Sequence, residues 1–146
     1  MAKEIERKFL VTDDSYLQLA SSSHHIIQGY ISRRPEGTVR IRIRDDRAFL
    51  TIKGVTLGIT RDEWEYEIPV ADAYAMLRNT CEGTIIEKKR YIVDFKGFKW
   101  EIDCFDSPRK FTIAEVELSE QSITPPLPSF IGEEVSGNPA YYNSNL

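Results

Sequence analysis

The sequence has very few of the residues that build disulfide scaffolds and zinc sites. Among 146 residues there are two cysteines and two histidines. Cys81 and Cys104 belong to no Cys-x-x-Cys or Cys/His spacing, so we expect neither kind of site. Eight glycines and seven prolines are also too few for a fibrous or low-complexity chain. The composition is that of a globular protein.

Long apolar runs are missing as well. No stretch approaches the roughly 20 apolar residues of a membrane-spanning helix. Residues 1–10 carry five charged side chains where a signal peptide would need an apolar stretch. We therefore expect a cytosolic protein without a membrane partner, folded as one domain over residues 1–146.

A strong excess of positive charge is also lacking. With 19 basic and 23 acidic residues the formal net charge is -4. This balance argues against a protein that coats nucleic acid electrostatically. However, the charges are not mixed, because they are sorted by sign into short blocks.

A period of two dominates the hydrophobic pattern, which is typical of β-strands. Turn residues such as Pro35, Gly37 and Gly97 separate the candidate strands. We predict strands over 4–11, 26–33, 38–44, 48–53, 61–68, 87–95, 98–105 and 112–120. Short helices are expected near 13–20 and 73–79, the second capped by Asp72, and one or two more within 128–146, the last beginning at Asn138 and Pro139. The fold class is α+β and mostly β: eight antiparallel strands able to close into a barrel, with a few flanking helices.

One face of nearly every predicted strand is charged. Residues i and i+2 of a strand share a face at about 6.5–7 Å. A solvent face usually mixes both signs with neutral polar residues, because like charges side by side repel. Here the rows run in one sign: Glu4 and Glu6; Arg40, Arg42 and Arg44; Glu63, Glu65 and Glu67; Lys88 and Arg90; Glu101 and Asp103; Glu115 and Glu117.

Two interpretations of these rows stay open at this point. The strands could form an ordinary barrel with a salt-bridged surface, or the charged faces could line a closed interior. Buried like charges need counter-charges. Rows of Arg and Lys suit phosphate oxygens, and carboxylates suit Mg²⁺ or Mn²⁺. The second interpretation thus predicts a tunnel for a metal-bound polyphosphate.

An ordered series of motifs resembles the CYTH proteins, also called triphosphate tunnel metalloenzymes. The opening E-I-E-R-K-F-L at 4–10 is similar to their ExExK signature. The later motifs are Q-G-Y at 28–30, Arg40 with Arg42, T-I-K at 51–53, Arg61 with Glu63 and Glu65, K-K-R-Y at 88–91, W-E-I-D at 100–103, A-E-V-E-L at 114–118, and the tail segments 132–135 and 141–146.

The resemblance implies an eight-stranded barrel that hydrolyses inorganic triphosphate with Mg²⁺ or Mn²⁺. A related adenylate cyclase of class IV, a thiamine triphosphatase and a non-catalytic polyphosphate or nucleotide binder remain alternatives. The sequence is compatible with a homodimer without establishing one. The implied metal ligands are Glu4, Glu6, Asp103, Glu115 and Glu117; the implied phosphate-binding residues are Lys8, Arg40, Arg42, Lys53, Lys88 and Arg90; the implied catalytic residues are Glu4, Lys8 and Glu117; Glu63 and Glu65 are further tunnel residues without an assigned role.

Overall fold

A computed structural model of the chain describes residues 3–142 and residue 145. Its strands are β1 Lys3–Val11, β2 Ser22–Ser32, β3 Thr38–Arg44, β4 Arg47–Lys53, β5 Thr60–Ile68, β6 Glu82–Phe95, β7 Phe98–Ser107, β8 Phe111–Glu117 and β9 Ile131–Glu134. The helices are α1 Tyr16–Leu19, α2 Val70–Asn79 and a 3-10 turn, Pro139–Tyr141. No helix in this described part has the length and apolar character needed to span a bilayer.

The strands form a closed antiparallel barrel, which confirms the predicted fold class. Their order is β5-β4-β3-β2-β6-β7-β8-β1, and a second pairing of β1 with β5 closes the ring. That pairing is short, joining residues 3–5 of β1 to residues 60–62 of β5. Further along the same edge, β1 pairs instead with β9.

The eight predicted strands are all present, with some shifted ends. β6 begins at Glu82 rather than at 87, because its pairing with β2 extends to Tyr30 although Glu82, Gly83 and Thr84 lack any apolar alternation. β8 ends at Glu117 rather than at 120. There the backbone N–H of Leu118 donates to the carbonyl oxygen of Ile5, and the Leu118 side chain enters the core.

The helix predictions were partly wrong. α2 begins at Val70 with Pro69 at its N-cap, so Asp72 lies in the first turn and is not the cap. In the tail, the first expected helix is the strand β9, because residues 131–134 add to the edge of β1. The 3-10 turn does begin after Asn138, whose side chain accepts a hydrogen bond from the N–H of Ala140. Asn143, Ser144 and Leu146 of the tail motif lie outside the described residues.

Two apolar clusters cover the outside of the barrel. Trp100, Phe9 and Val116 pack beneath Tyr16 of α1 and Phe130. On the opposite side, α2 lays Ala73 against Ile41 and Ile43 of β3 and Ala48 of β4. Alternation along each strand then turns the charged residues to the inner face.

From the sequence we expected a charged interior along the whole barrel. The structure shows instead that part of the inner face is apolar. A third apolar cluster contains Tyr30, Ile86, Phe105, Ile113 and Val135. Ile113 and Phe105 share faces with Glu115 and Asp103, so this cluster lies inside the barrel. It fills one end of the interior, and the charged rows line the rest.

Gly29 allows side chains of α2, of Cys81 and of β6 to approach β2 closely. A Cβ atom built there would lie 2.8 Å from Ile85 Cδ1, 3.1 Å from Leu77 Cδ2 and 3.2 Å from Cys81 Cβ. Gly29→Ala should therefore lower the free energy of unfolding by about 1–3 kcal/mol, measured by chemical denaturation. Gly37→Ala is the matched control, because a Cβ atom added at Gly37 would meet nothing within 4 Å. Equal stability of the two variants would contradict close packing at Gly29.

Candidate functional site

A charged cavity of about 240 Å³ occupies the barrel interior. Apart from Tyr30, each described residue that lines it has a carboxylic acid or a basic side chain. These residues are Glu4, Glu6, Lys8, Arg40, Arg42, Arg44, Lys53, Arg61, Glu63, Glu65, Arg90, Glu101, Glu115 and Glu117. Its open side is marked by Glu65 and Glu117, which are exposed, whereas Glu4, Lys8 and Arg40 are buried.

Strand register brings the acidic residues of β1 and β8 together. Glu6 lies opposite Glu117, and Lys8 lies opposite Glu115. The Lys8 ammonium is 3.4 Å from Glu115 Oε1 and 3.8 Å from Glu6 Oε1. Burial would lower the pKa of Lys8, but Glu115 and Glu6 outweigh that effect and raise it. Lys8 is therefore a firmly charged ammonium among carboxylates.

Among Glu4, Glu6 and Glu115, Glu6 lies farthest from a basic group, with Lys8 Nζ 3.8 Å away. Burial, together with repulsion from Glu115 and Glu4, raises the pKa of Glu6 to about 8. Burial and the charge of Glu4 also raise the pKa of Glu117. By contrast, the charge of Lys8 overcomes burial and lowers the pKa of Glu115 to about 2. On this side of the cavity the carboxylates outnumber the basic groups.

Glu4 is paired with two basic side chains. Its carboxylate accepts hydrogen bonds from Lys53 Nζ at 2.8 and 2.9 Å, and Arg61 Nε is 3.5 Å away. Burial would raise the pKa of Glu4, but Lys53 and Arg61 hold it at about 2. Glu63 also approaches Lys53, at 3.3 Å. Lys53 is thus shared by two carboxylates.

The arginines of β3 point inward from neighbouring positions. Arg42 Nε donates to Gln28 Oε1 at 2.7 Å, and Arg40 donates to Thr51 Oγ1 at 3.3 Å, with Glu65 3.6 Å away. Burial, Arg40 and Arg90 lower the pKa of Arg42 to about 9. The buried Nε of Arg40 has no acceptor among the described residues. Positive charge and donors are therefore in excess on this wall.

Lys88 and Asp103 are the most deeply buried of the predicted site residues. Both are fully buried, with 0% exposure, and lie behind the cavity wall. Asp103 accepts from Lys88 Nζ at 2.7 Å and from Arg90 at 2.7 and 2.9 Å. Burial would raise the pKa of Asp103, but Arg90 and Lys88 hold it well below its usual range. Both carboxylate oxygens of this predicted metal ligand are thus taken by basic groups.

The basic groups around Asp103 outnumber it. Burial, with Arg90 and Arg42 adding repulsion, lowers the pKa of Lys88 to about 7 despite Asp103. The ammonium also lies 4.9 Å from the ring centroid of Phe105. Lys88 is predicted to bind phosphate. In the structure its direct partner is Asp103, and Arg90, not Lys88, lines the cavity.

Several residues of the cavity were not assigned from the sequence. Tyr30, Arg44 and Glu101 line it, and Arg61 contacts Glu4. Arg61 lies two positions before Glu63 on the same strand face, so the period of two could have identified it. Tyr30 has no charge, and the signal that could have pointed to it is the Q-G-Y motif at 28–30. Arg44 and Glu101 belong to charged rows that the period of two identifies.

The carboxylates do not yet converge on one point. Across residues 3–142 and 145, no three His, Cys, Asp or Glu side chains form a group that could hold a metal ion as they stand. The donor chemistry nevertheless fits a hard divalent cation, because Glu6, Glu115 and Glu117 offer carboxylate oxygens on the same cavity wall.

Comparisons with known proteins agree with the geometry. The sequence profile of the CYTH domain matches residues 2–142. An inorganic triphosphatase of Acetivibrio thermocellus is 46% identical over 147 residues, covering 100% of this chain and 94% of that protein. The crystal structure of an inorganic triphosphatase superposes with a TM-score of 0.65 at 29% identity, covering 99% and 94% of the two chains. A Pyrococcus furiosus protein at 19% identity, with a TM-score of 0.63 over 82% of this chain and 80% of that one, shares the fold.

Removing the charge of Asp103 should destabilise the barrel strongly. In Asp103→Asn, Lys88 and Arg90 lose their buried counter-charge, so we expect a loss of about 3–5 kcal/mol in the free energy of unfolding. Glu67→Gln is the control, because the Arg47–Glu67 pair is exposed and should contribute under about 1 kcal/mol. If both variants lose the same small amount, Asp103 does not hold the basic cluster.

Proposed function

The chain belongs to the CYTH family, and from that premise we propose that it hydrolyses inorganic triphosphate to pyrophosphate and phosphate inside the barrel. The observation that carries the proposal is the lining of the cavity, where Tyr30 alone among the described residues has neither a carboxylic acid nor a basic side chain. A ligand made only of phosphate and metal ions matches such a wall. The wall of this cavity offers no apolar surface to a nucleobase or a thiazole ring.

The basic residues would bind the phosphate chain. Tripolyphosphate carries several negative charges, and its hydrolysis depends on positioning and charge neutralisation more than on covalent catalysis. Arg40, Arg42 and Arg90 present guanidinium groups that fit phosphate oxygens in pairs, whereas Lys53 and Lys8 act as point charges. The lowered pKa of Arg42 and the unsatisfied Nε of Arg40 support this role, since an anion would relieve both.

The carboxylates of β1 and β8 would hold the divalent cation. Glu6 and Glu115, with Glu4 beside them, would supply the oxygen ligands that Mg²⁺ or Mn²⁺ prefers. When bound, such an ion neutralises phosphate oxygens and lowers the pKa of a coordinated water. Asp103, whose oxygens already accept from Lys88 and Arg90, is better suited to positioning Arg90.

The proton of the attacking water needs an acceptor at the cavity. Glu4 and Glu117 are the two candidates. Lys53 holds the pKa of Glu4 at about 2, which makes Glu4 a weak base. Burial and the charge of Glu4 raise the pKa of Glu117, and its side chain lines the cavity while staying exposed. We assign Glu117 as the general base, and Lys8 neutralises charge on the attacked phosphoryl group.

Glu63 and Glu65 would serve the basic residues. Glu63 contacts Lys53, and Glu65 contacts Arg40 and accepts a hydrogen bond from Thr51 Oγ1 at 3.0 Å. These contacts support a positioning role over a second metal site. The related cyclase and thiamine triphosphatase rank below the inorganic triphosphatase because each needs a surface for an organic group. A homodimer and a cytosolic location stay predictions.

A substrate panel tests the proposed activity. With Mg²⁺ or Mn²⁺, phosphate release should be fastest from tripolyphosphate, slower from ATP and thiamine triphosphate, and abolished by chelator. No cyclic AMP should form from ATP. Tripolyphosphate at about 100 times its Kd should also stabilise the folded protein by roughly 2.7 kcal/mol. A folded protein that binds tripolyphosphate but releases no phosphate with either metal would be a binder and not an enzyme.

Two carboxylate variants test the assigned roles. Glu117→Gln should lower kcat by about 10²-fold or more, the contribution of a positioned base. Glu115→Gln should weaken metal binding, which would be measured as a higher metal concentration at half-maximal activity. Glu120→Gln, an exposed neighbour outside the cavity lining, is the matched control and should keep the wild-type rate. A wild-type kcat in Glu117→Gln together with an unchanged half-maximal metal concentration in Glu115→Gln would show that the base and the metal ligand are wrongly assigned.

A further inference from the structure

Arg42 is the predicted phosphate-binding residue with the least negative charge beside it. The other residues of that set each have a carboxylate oxygen within ion-pairing distance: Lys8, Arg40, Lys53, Lys88 and Arg90. Among the described residues no Asp or Glu side chain forms an ion pair with Arg42, although Arg42 lines the charged cavity. Its Nε donates instead to a neutral group, the amide oxygen of Gln28, at 2.7 Å.

Gln28 is held between two strands next to Arg42. β2 lies between β3 and β6, and Gln28 faces Arg42 on the first and Ile86 on the second. Its side chain has 0% exposure. Because arginine carries only donors, the amide oxygen must face Arg42 Nε and the amide N–H groups must point away from it. The hydrogen bond therefore has one possible orientation.

The amide of Gln28 is not fully satisfied within the fold. Gln28 Nε2 is buried without an acceptor in the part of the chain that the structure describes. An unsatisfied buried donor costs the folded state free energy. Gln28 is also absent from the lining of the charged cavity, so it would not touch the substrate itself. What its side chain does in the described structure is to orient Arg42.

A neutral partner has a consequence for anion binding at Arg42. A carboxylate beside a guanidinium group orients that group equally well, but its negative charge also repels an incoming phosphate. An amide oxygen accepts the same hydrogen bond without a net charge. Arg42 is thus fixed in the cavity wall while its positive charge remains available to a ligand.

We propose that Gln28 is a positioning residue for substrate binding, which fixes the Arg42 guanidinium at the cavity through a neutral amide oxygen and leaves its charge uncompensated. This inference rests on the proposed function, because it concerns how the anionic substrate is bound. Burial and the neighbouring Arg40 and Arg90 lower the pKa of Arg42 to about 9. Gln28 leaves that surplus of positive charge for the phosphate chain to neutralise.

Replacing the amide by a carboxylate separates orientation from charge. Gln28→Glu keeps the shape and the acceptor, and its negative charge would lie beside Arg42 and near the positive neighbours Arg40 and Arg90. We expect a free energy of unfolding at least equal to that of the wild type. By contrast, KM for tripolyphosphate at saturating Mg²⁺ should rise roughly 10- to 100-fold, with a much smaller change in kcat, because the new charge repels the substrate.

Gln18→Glu is the matched control for this variant. It makes the same chemical change at an exposed position of α1, outside the cavity lining. Neither KM nor the free energy of unfolding should change in this control. A side chain that only filled space at position 28 would likewise tolerate the carboxylate without any effect on KM.

Gln28→Met removes the acceptor and provides a second measurement. Arg42 Nε then loses its bond, so we expect a lower stability and a higher KM. In an Arg42→Met background, Gln28→Met should cause no further rise in KM, because Gln28 acts through Arg42. A further rise there, an unchanged KM in both Gln28 variants, or a loss of stability in Gln28→Glu would overturn the positioning role. Wild-type protein that neither binds nor hydrolyses tripolyphosphate would instead overturn the proposed function.

Discussion

The barrel depends on the neutralisation of charges that it buries in its interior. Lys88, Arg90 and Arg42 stand together with Asp103 as their main counter-charge, and Glu6 stands with Glu4 and Glu115. In a low dielectric such groups are stable only when paired. The protein pairs most of them and leaves a surplus of each sign on separate walls. That surplus is what a polyanion with a divalent cation would complete, so stability and ligand choice follow from one electrostatic constraint.

Much of this arrangement could be predicted from the sequence because strands have a strict period. Glu4, Glu6 and Lys8, or Arg40 and Arg42, must share a face whatever the rest of the fold does. Because each row carries charges of one sign, the sequence also indicated that these faces line the interior of the barrel. The period of two could not predict how far along the barrel axis each charged side chain lies. Asp103 and Lys88 share faces with Glu101 and Arg90, yet register places Lys88 opposite Phe105, beside the apolar end, and buries both groups completely.

The residues that escaped prediction are those whose neighbours are set by tertiary contacts. Tyr30 lies among charges only because β2 pairs with β3, and β9 exists because the edge of β1 is left open beyond Ile5. Neither feature leaves a periodic signal in its own segment. The apolar cluster of Phe105, Ile113 and Val135 likewise depends on the tail folding back into the barrel, which no local pattern reports.

Closure of the ring through β1 has a consequence for how the molecule is assembled. Arg7 on β1 bonds to Glu134 of β9, 127 positions away along the chain. Contacts so distant in sequence make folding slow, because a large loss of chain entropy precedes them. During synthesis, β1 beyond Ile5 must therefore wait with open edges until β8 and β9 have emerged. Charged side chains such as Glu4, Glu6 and Lys8 on that waiting strand discourage it from pairing with other chains.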